Sequence, residues 1–108
     1  KIKKFLLITT FSFLLNTQAS FADEAKMAKG LEIFNETAGC AACHVLKAAG
    51  SEGNIGPNLD TVEGLNYESV MDIVTHGLGV MPAFGEDEIL TKEEIDIVSF
   101  YVANSVGK

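Results

Sequence analysis

Cys40, Ala41, Ala42, Cys43 and His44 read C-A-A-C-H, and the two cysteines are the only ones in the chain. This is the pattern of c-type haem attachment. Two thiols three residues apart fit one helical turn, from which both can reach one edge of a porphyrin and become thioethers on its vinyl groups. The imidazole of His44 then falls under the ring, where a nitrogen can bind iron as the proximal axial ligand. Two other uses of such a pair fit less well. A thioredoxin-like redox pair needs a βαβ setting, and no strand-like alternation surrounds Cys40. A structural zinc site needs four ligands, and only Cys40, Cys43, His44 and a distant His76 are available.

Iron in a haem takes a second axial group from the other face, and Met27, Met71, Met81 and His76 are the candidates. Met27 and Met71 fall at helical apolar positions, where methionine fills a core. Met81 lies in G-L-G-V-M-P-A-F, outside any helical pattern. Pro82 turns the residue before it toward extended backbone, and Gly77 and Gly79 let the chain approach a flat ring closely. Met81 is therefore the favoured ligand, with His76 as the alternative that would give a bis-histidine site. A histidine next to a helix-ending glycine also suits a simple capping or solvent-facing place.

The elements that must hold these groups are helical. From Asp23 to about Glu36, Met27, Gly30, Leu31 and Phe34 recur with helical spacing, and Asp23 is a candidate N-cap. Gly30 costs about 1 kcal/mol of helix propensity against Ala, which points to a close approach by another helix. Thr91 and Glu94 in T-K-E-E form a capping box for a last helix through about Asn104, packed by Ile95, Val98, Tyr101 and Val102. Asn66 can cap a middle helix with Val70, Ile73 and Val74 on one side, ended by Gly77. The glycine-rich stretch from Val45 to Leu65 is a long loop suited to wrapping the cofactor. No strand pattern or repeat is present, so the expected class is all-α.

Residues 1–22 read as a leader: Lys1, Lys3 and Lys4, an apolar run from Phe5 to Leu15, and Ser20-Phe21-Ala22 as a cleavage site after Ala22. The apolar run is short and broken by Thr9, Thr10 and Ser12, so no stable membrane insertion is expected after cleavage. One domain over 23–108 remains. All 15 acidic residues lie there against five lysines, a formal charge of −10. That balance argues against nucleic acid, and it suits equally plain solubility and attraction to redox partner proteins with basic docking patches. Glu86-Asp87-Glu88 reads as a solvated loop.

Three stretches together carry a family resemblance: G-L-E-I-F-N-E-T-A-G-C-A-A-C-H from Gly30 to His44, G-P-N-L from Gly56 to Leu59, and G-V-M-P-A-F from Gly79 to Phe84. From about Ala25 to Val106 the chain resembles a small soluble class I bacterial cytochrome c. The resemblance implies a globule of three to four helices packed around one haem c. It implies that the first and last helices cross near Gly30, Phe34 and Tyr101, and that the Pro57 carbonyl accepts the His44 Nδ1 proton. Relatives often carry a Trp near a haem propionate; this chain has none, and Tyr67 is the candidate substitute.

With His44 and Met81 both on iron, no position is left for a substrate. The expected function is a periplasmic, monomeric single-electron carrier between a dehydrogenase or quinol-oxidising complex and a terminal acceptor, with no catalytic residues of its own. A tightly bound haem subunit of an oxidoreductase is the alternative. A haem enzyme or gas sensor with an open distal face is a third reading. A domain this short has little core without its cofactor. Expressed without haem attachment, it is expected to show no cooperative native-like unfolding transition by far-UV circular dichroism.

Overall fold

The computed structural model describes residues 21–108, so the leader expected over 1–22 lies almost wholly outside the described residues. The first helix, α1, runs over residues 21–32 and continues in a wider turn at Ile33–Thr37, closed by the Ala38 N–H donating to the Ile33 carbonyl at 2.9 Å. Because the helix is already formed at residue 21, Asp23 lies inside it and does not cap it. Gly39, in the left-handed region at φ 69°, breaks α1 and starts the short turn Cys40–Ala42 that carries the cysteines.

A two-residue antiparallel ladder follows, β1 (Val45–Leu46) against β2 (Ser51–Glu52), with a 3₁₀ turn at Lys47–Ala49 between them. A ladder this short leaves no alternating period in the sequence, which is why none was expected. A second 3₁₀ turn spans Leu59–Thr61. The remaining helices are α2 (Tyr67–His76) and α3 (Lys92–Ser105). Both open on reciprocal capping boxes. The Asn66 side chain accepts the Ser69 N–H while Ser69 Oγ accepts the Asn66 N–H, and Thr91 and Glu94 repeat the exchange. Such a cap stabilises a helix start by about 1 kcal/mol. Three α-helices joined by short turns give the all-α class that the helical spacing implied.

Ile33 and Phe34 from α1, Val70 and Val74 from α2, and Ile95, Val98 and Val102 from α3 meet in one buried core. Leu31, one residue round from Gly30, sits at the edge of this face and stays about one-third exposed. The crossing of α1 on α3 depends on Gly30, where an added Cβ would overlap the Tyr101 Cβ and come within 2.9 Å of its ring. Phe34 packs beside the same ring, centroids 6.1 Å apart. A salt link joins all three helices. Lys26 Nζ lies 3.0 Å from Asp96 Oδ2 and over the Phe100 ring, and the Tyr67 hydroxyl donates to the same carboxylate. Those bonds, the tyrosine's first, hold the Asp96 carboxyl below its ordinary range.

Overpacking a tight crossing costs about 1–3 kcal/mol. Gly30→Ala is expected to lose a stability of that order, read as a lower denaturant midpoint, even though alanine is the better helix former.

Candidate cofactor site

Cys40, Cys43, His44, Pro57 and Met81 all line one apolar cavity of about 470 Å³, shared with Phe34, Val70, Val98 and Val102 of the three helices. Cofactor sites commonly span roughly 300–1,000 Å³ with a few placed polar groups. The structure thus places these five residues around one cavity.

His44 is held on all sides. The turn that carries it is tied by the His44 N–H donating to the Cys40 carbonyl at 3.0 Å. The buried Ser51 hydroxyl donates to the His44 carbonyl at 2.8 Å and accepts the Leu46 N–H at 2.9 Å, fixing the backbone just past the ring. The imidazole lies against Gly56, where an added Cβ would come within 2.6 Å of Cε1. His44 Nδ1 stands 2.8 Å from the Pro57 carbonyl oxygen. A carbonyl only accepts, so Nδ1 carries the proton and Nε2 keeps its lone pair free for a metal. The Gly56 N–H closes the cradle by donating to the Cys43 carbonyl at 2.7 Å.

The thiols sit partly buried and unpaired with each other. Burial pushes the Cys40 thiol up to about 11, against a backbone hydrogen bond that acts the other way. A redox-active C-x-x-C works through a lowered thiol pKa, so this environment is the wrong one for that chemistry. Among the described residues, no group of three or more His, Cys, Asp or Glu side chains is placed to hold a metal ion.

Met81 arrives from a separate element. α2 ends at Gly77, φ 74°, where a Cβ would come within 2.7 Å of the Met81 carbonyl oxygen. Leu78 and Met81 exchange backbone hydrogen bonds of 3.2 and 3.0 Å, folding the loop into a tight turn at the cavity wall. Phe84 and Gly85 then donate their N–H groups to Val74 and Thr75 of α2, anchoring the far end of the loop. Met27 and Met71 instead pack against the core and do not line the cavity. His76 is also outside it. Its Nδ1 is hydrogen-bonded to Glu86 and its Nε2 lies 3.6 Å from Asp72; the Glu86 bond raises its pKa most, burial opposes it, and the Glu86 and Asp72 charges add to the rise.

Tyr67 is likewise absent from the cavity wall. Its hydroxyl is committed to Asp96 of α3, so it ties helices together where the sequence suggested a place beside the cofactor. Two contributors escaped the sequence reading. Ser51 looks like a loop serine until the ladder buries it. Gly53 is pressed against the attachment turn, where a Cβ would come within 2.6 Å of the Ala41 and Ala42 carbonyl oxygens. The run of glycines was the only signal of that contact.

Comparison with known proteins supplies the remaining observation. Residues 25–102 match the family described as cytochrome c oxidase, cbb3-type, subunit III. The chain is 36% identical over 105 residues to chloroplastic cytochrome c6 of Chlamydomonas reinhardtii, covering 89% of this chain and 66% of that protein. It is 31% identical to cytochrome c6 of Rippkaea orientalis, covering 91% and 85%. It also shares 36% identity with the cbb3-type cytochrome c oxidase subunit FixP of Bradyrhizobium, covering 74% of this chain but 30% of FixP. The crystal structure of the c-type cytochrome SorU from Sinorhizobium meliloti superposes with a TM-score of 0.70 at 47% identity, over 79% of this chain and 95% of SorU.

The chain belongs to the class I c-type cytochromes. Its cofactor is haem c, for which Cys40 and Cys43 have the attachment spacing. The residues present fit that group: an apolar cavity, two free thiols, and an imidazole whose Nε2 is unclaimed. The chain spans about two thirds of the algal cytochrome c6 and less than a third of FixP.

In this cytochrome the His44 ring has no room to retreat from Gly56. Gly56→Ala is expected to reduce the yield of haem-attached protein, measured by covalent haem staining, and to lower the thermal midpoint of whatever matures.

Proposed function

We propose that this cytochrome is an exported single-electron carrier whose haem c is ligated by His44 and Met81. When bound, haem c supplies a one-electron Fe(III)/Fe(II) couple. The observation that carries this reading is the convergence of His44 and Met81, from independently anchored segments, on one apolar cavity. His44 offers Nε2, its orientation and tautomer fixed by Pro57. Met81 offers a thioether, a soft donor that favours the reduced metal and raises the potential. If His44 and Met81 both held the iron, the chain would leave no coordination position for oxygen or a substrate, and the apolar wall would shield the metal from water.

The exposed side chains at the cavity mouth support contact with a partner there. Ile55, Leu78 and Val80 line the cavity yet are 71%, 70% and 91% exposed. A small apolar rim on a strongly acidic protein suits brief, steered encounters with basic partners, such as a dehydrogenase or quinol-oxidising complex on one side and a terminal acceptor on the other. Residues 1–22 have the make-up of an export leader, and no helix among the described residues is long and apolar enough to cross a membrane, which together support a periplasmic location.

A second reading is favoured by the match to an oxidase subunit family and to FixP: a haem domain held permanently within a larger complex. Native mass on co-purification separates the two, a lone small protein supporting the shuttle.

The visible spectrum tests the ligation. Oxidised protein is expected to show the weak red charge-transfer band of a methionine-to-iron bond. Met81→Ala is expected to abolish it and to let carbon monoxide bind the reduced protein. Absence of the band in the unmodified protein would sink the assignment.

A further inference from the structure

Asp60 lies three residues beyond Pro57 and does not line the cavity. Both of its carboxylate oxygens are nevertheless engaged by backbone. Oδ2 accepts the Lys47 N–H at 2.9 Å, and Oδ1 accepts the Gly107 N–H at 2.9 Å from near the other end of the domain. The turn between Pro57 and Asp60 is itself stiff. The Asp60 N–H donates to Asn58 Oδ1 at 3.0 Å, and Thr61 Oγ1 donates to the Asn58 carbonyl at 3.0 Å. The strand of loop that carries the Pro57 carbonyl is thus fastened at its entry, by the Gly56 N–H on the Cys43 carbonyl, and at its exit, by Asp60. The entry fastener ends on Cys43, next to His44, and the exit fastener ends on Lys47, three residues beyond His44, and on Gly107.

We propose that Asp60 is a positioning residue for the axial histidine, holding the Pro57 carbonyl at hydrogen-bond distance from His44 Nδ1 and so setting how much electron density the imidazole gives to iron. This rests on the ligation by His44 proposed above. A firmly bonded Nδ1 proton makes Nε2 a stronger donor, and a stronger donor favours Fe(III). Loosening the exit of the loop lets the carbonyl drift, weakens the donor and favours Fe(II). The two backbone bonds, Lys47 first and Gly107 second, also keep the Asp60 carboxyl below its usual range, so it is an anion at neutral pH and accepts at both oxygens. An amide in its place has only one acceptor oxygen and must turn a donor toward the other N–H.

The test compares the haem-loaded full chain with Asp60→Asn. Three quantities are read: the midpoint potential, the exchange rate of the His44 Nδ1 proton in the reduced protein by NMR, and the red charge-transfer band. The expected result is a potential shifted upward, so that at a fixed ambient potential the reduced-to-oxidised ratio rises about twofold or more. The Nδ1 proton is expected to exchange faster, with the band retained. An unchanged potential and an unchanged exchange rate, with the band present in both proteins, overturn the proposal. Loss of the band already in the unmodified protein counts against the Met81 ligation alone, because the Nδ1 proton reports on His44 directly.

If Asp60→Asn does not accumulate with haem, hydrogen exchange on the unmodified protein carries the same test. The Lys47 amide and the His44 Nδ1 proton are expected to share one opening event and equal protection. An Nδ1 proton that exchanges independently of the Lys47 amide overturns the proposal.

Discussion

The bond from His44 Nδ1 to the Pro57 carbonyl joins two stretches of chain that otherwise have little reason to meet. One side is the attachment turn, delivered by α1 and the break at Gly39; the other is a glycine-rich loop with almost no periodic structure. Once the ring is seated, Gly53 and Gly56 must press against the turn and the imidazole, Ser51 must be buried beneath it, and the two-residue ladder follows from that closure. The loop is irregular because it is shaped to one side chain. Its Gly56 N–H and Pro57 carbonyl are satisfied by the turn it covers, at the Cys43 carbonyl and at His44 Nδ1.

The opposite wall is built on different terms. α2 and α3 are ordinary amphipathic helices with full caps, and the Met81 loop hangs from α2 by backbone hydrogen bonds at both ends. The cavity therefore lies between a wall made by close contact at glycines and a wall made by helix packing. The space they leave is apolar, and a planar hydrophobic group between them would complete both.

Much of this was legible in the residues, for reasons that differ from place to place. The C-A-A-C-H turn declares its cofactor because covalent chemistry demands a fixed spacing, and the Met81-Pro82 sequence declares an extended segment because proline restricts the residue before it. The caps at Asn66 and Thr91 and the small residue at Gly30 are local rules that tertiary structure left intact. What failed to show was long-range partnership. Tyr67 had the right chemistry for a place beside the haem, but the nearby Asp96 and Lys26 draw its hydroxyl to the outer surface of the helices. Ser51 and the two-residue strands carry no periodic signal at all, since their roles exist only after the loop has folded back. Asp23 looked like a cap because nothing in its own neighbourhood reveals that the helix begins earlier.

The contact of Gly30 with Tyr101 joins the first helix of the described chain to the last. A polypeptide delivered from its N-terminus cannot make that contact until Tyr101 has emerged, so α1 lacks this packing partner while the cysteines behind it are already presented. In the closed fold, burial pushes the Cys40 thiol up to about 11. Chain topology thus acts as a clock. The contact that fastens α1 forms only after α3 has been delivered, so the cysteines are presented before the domain can close.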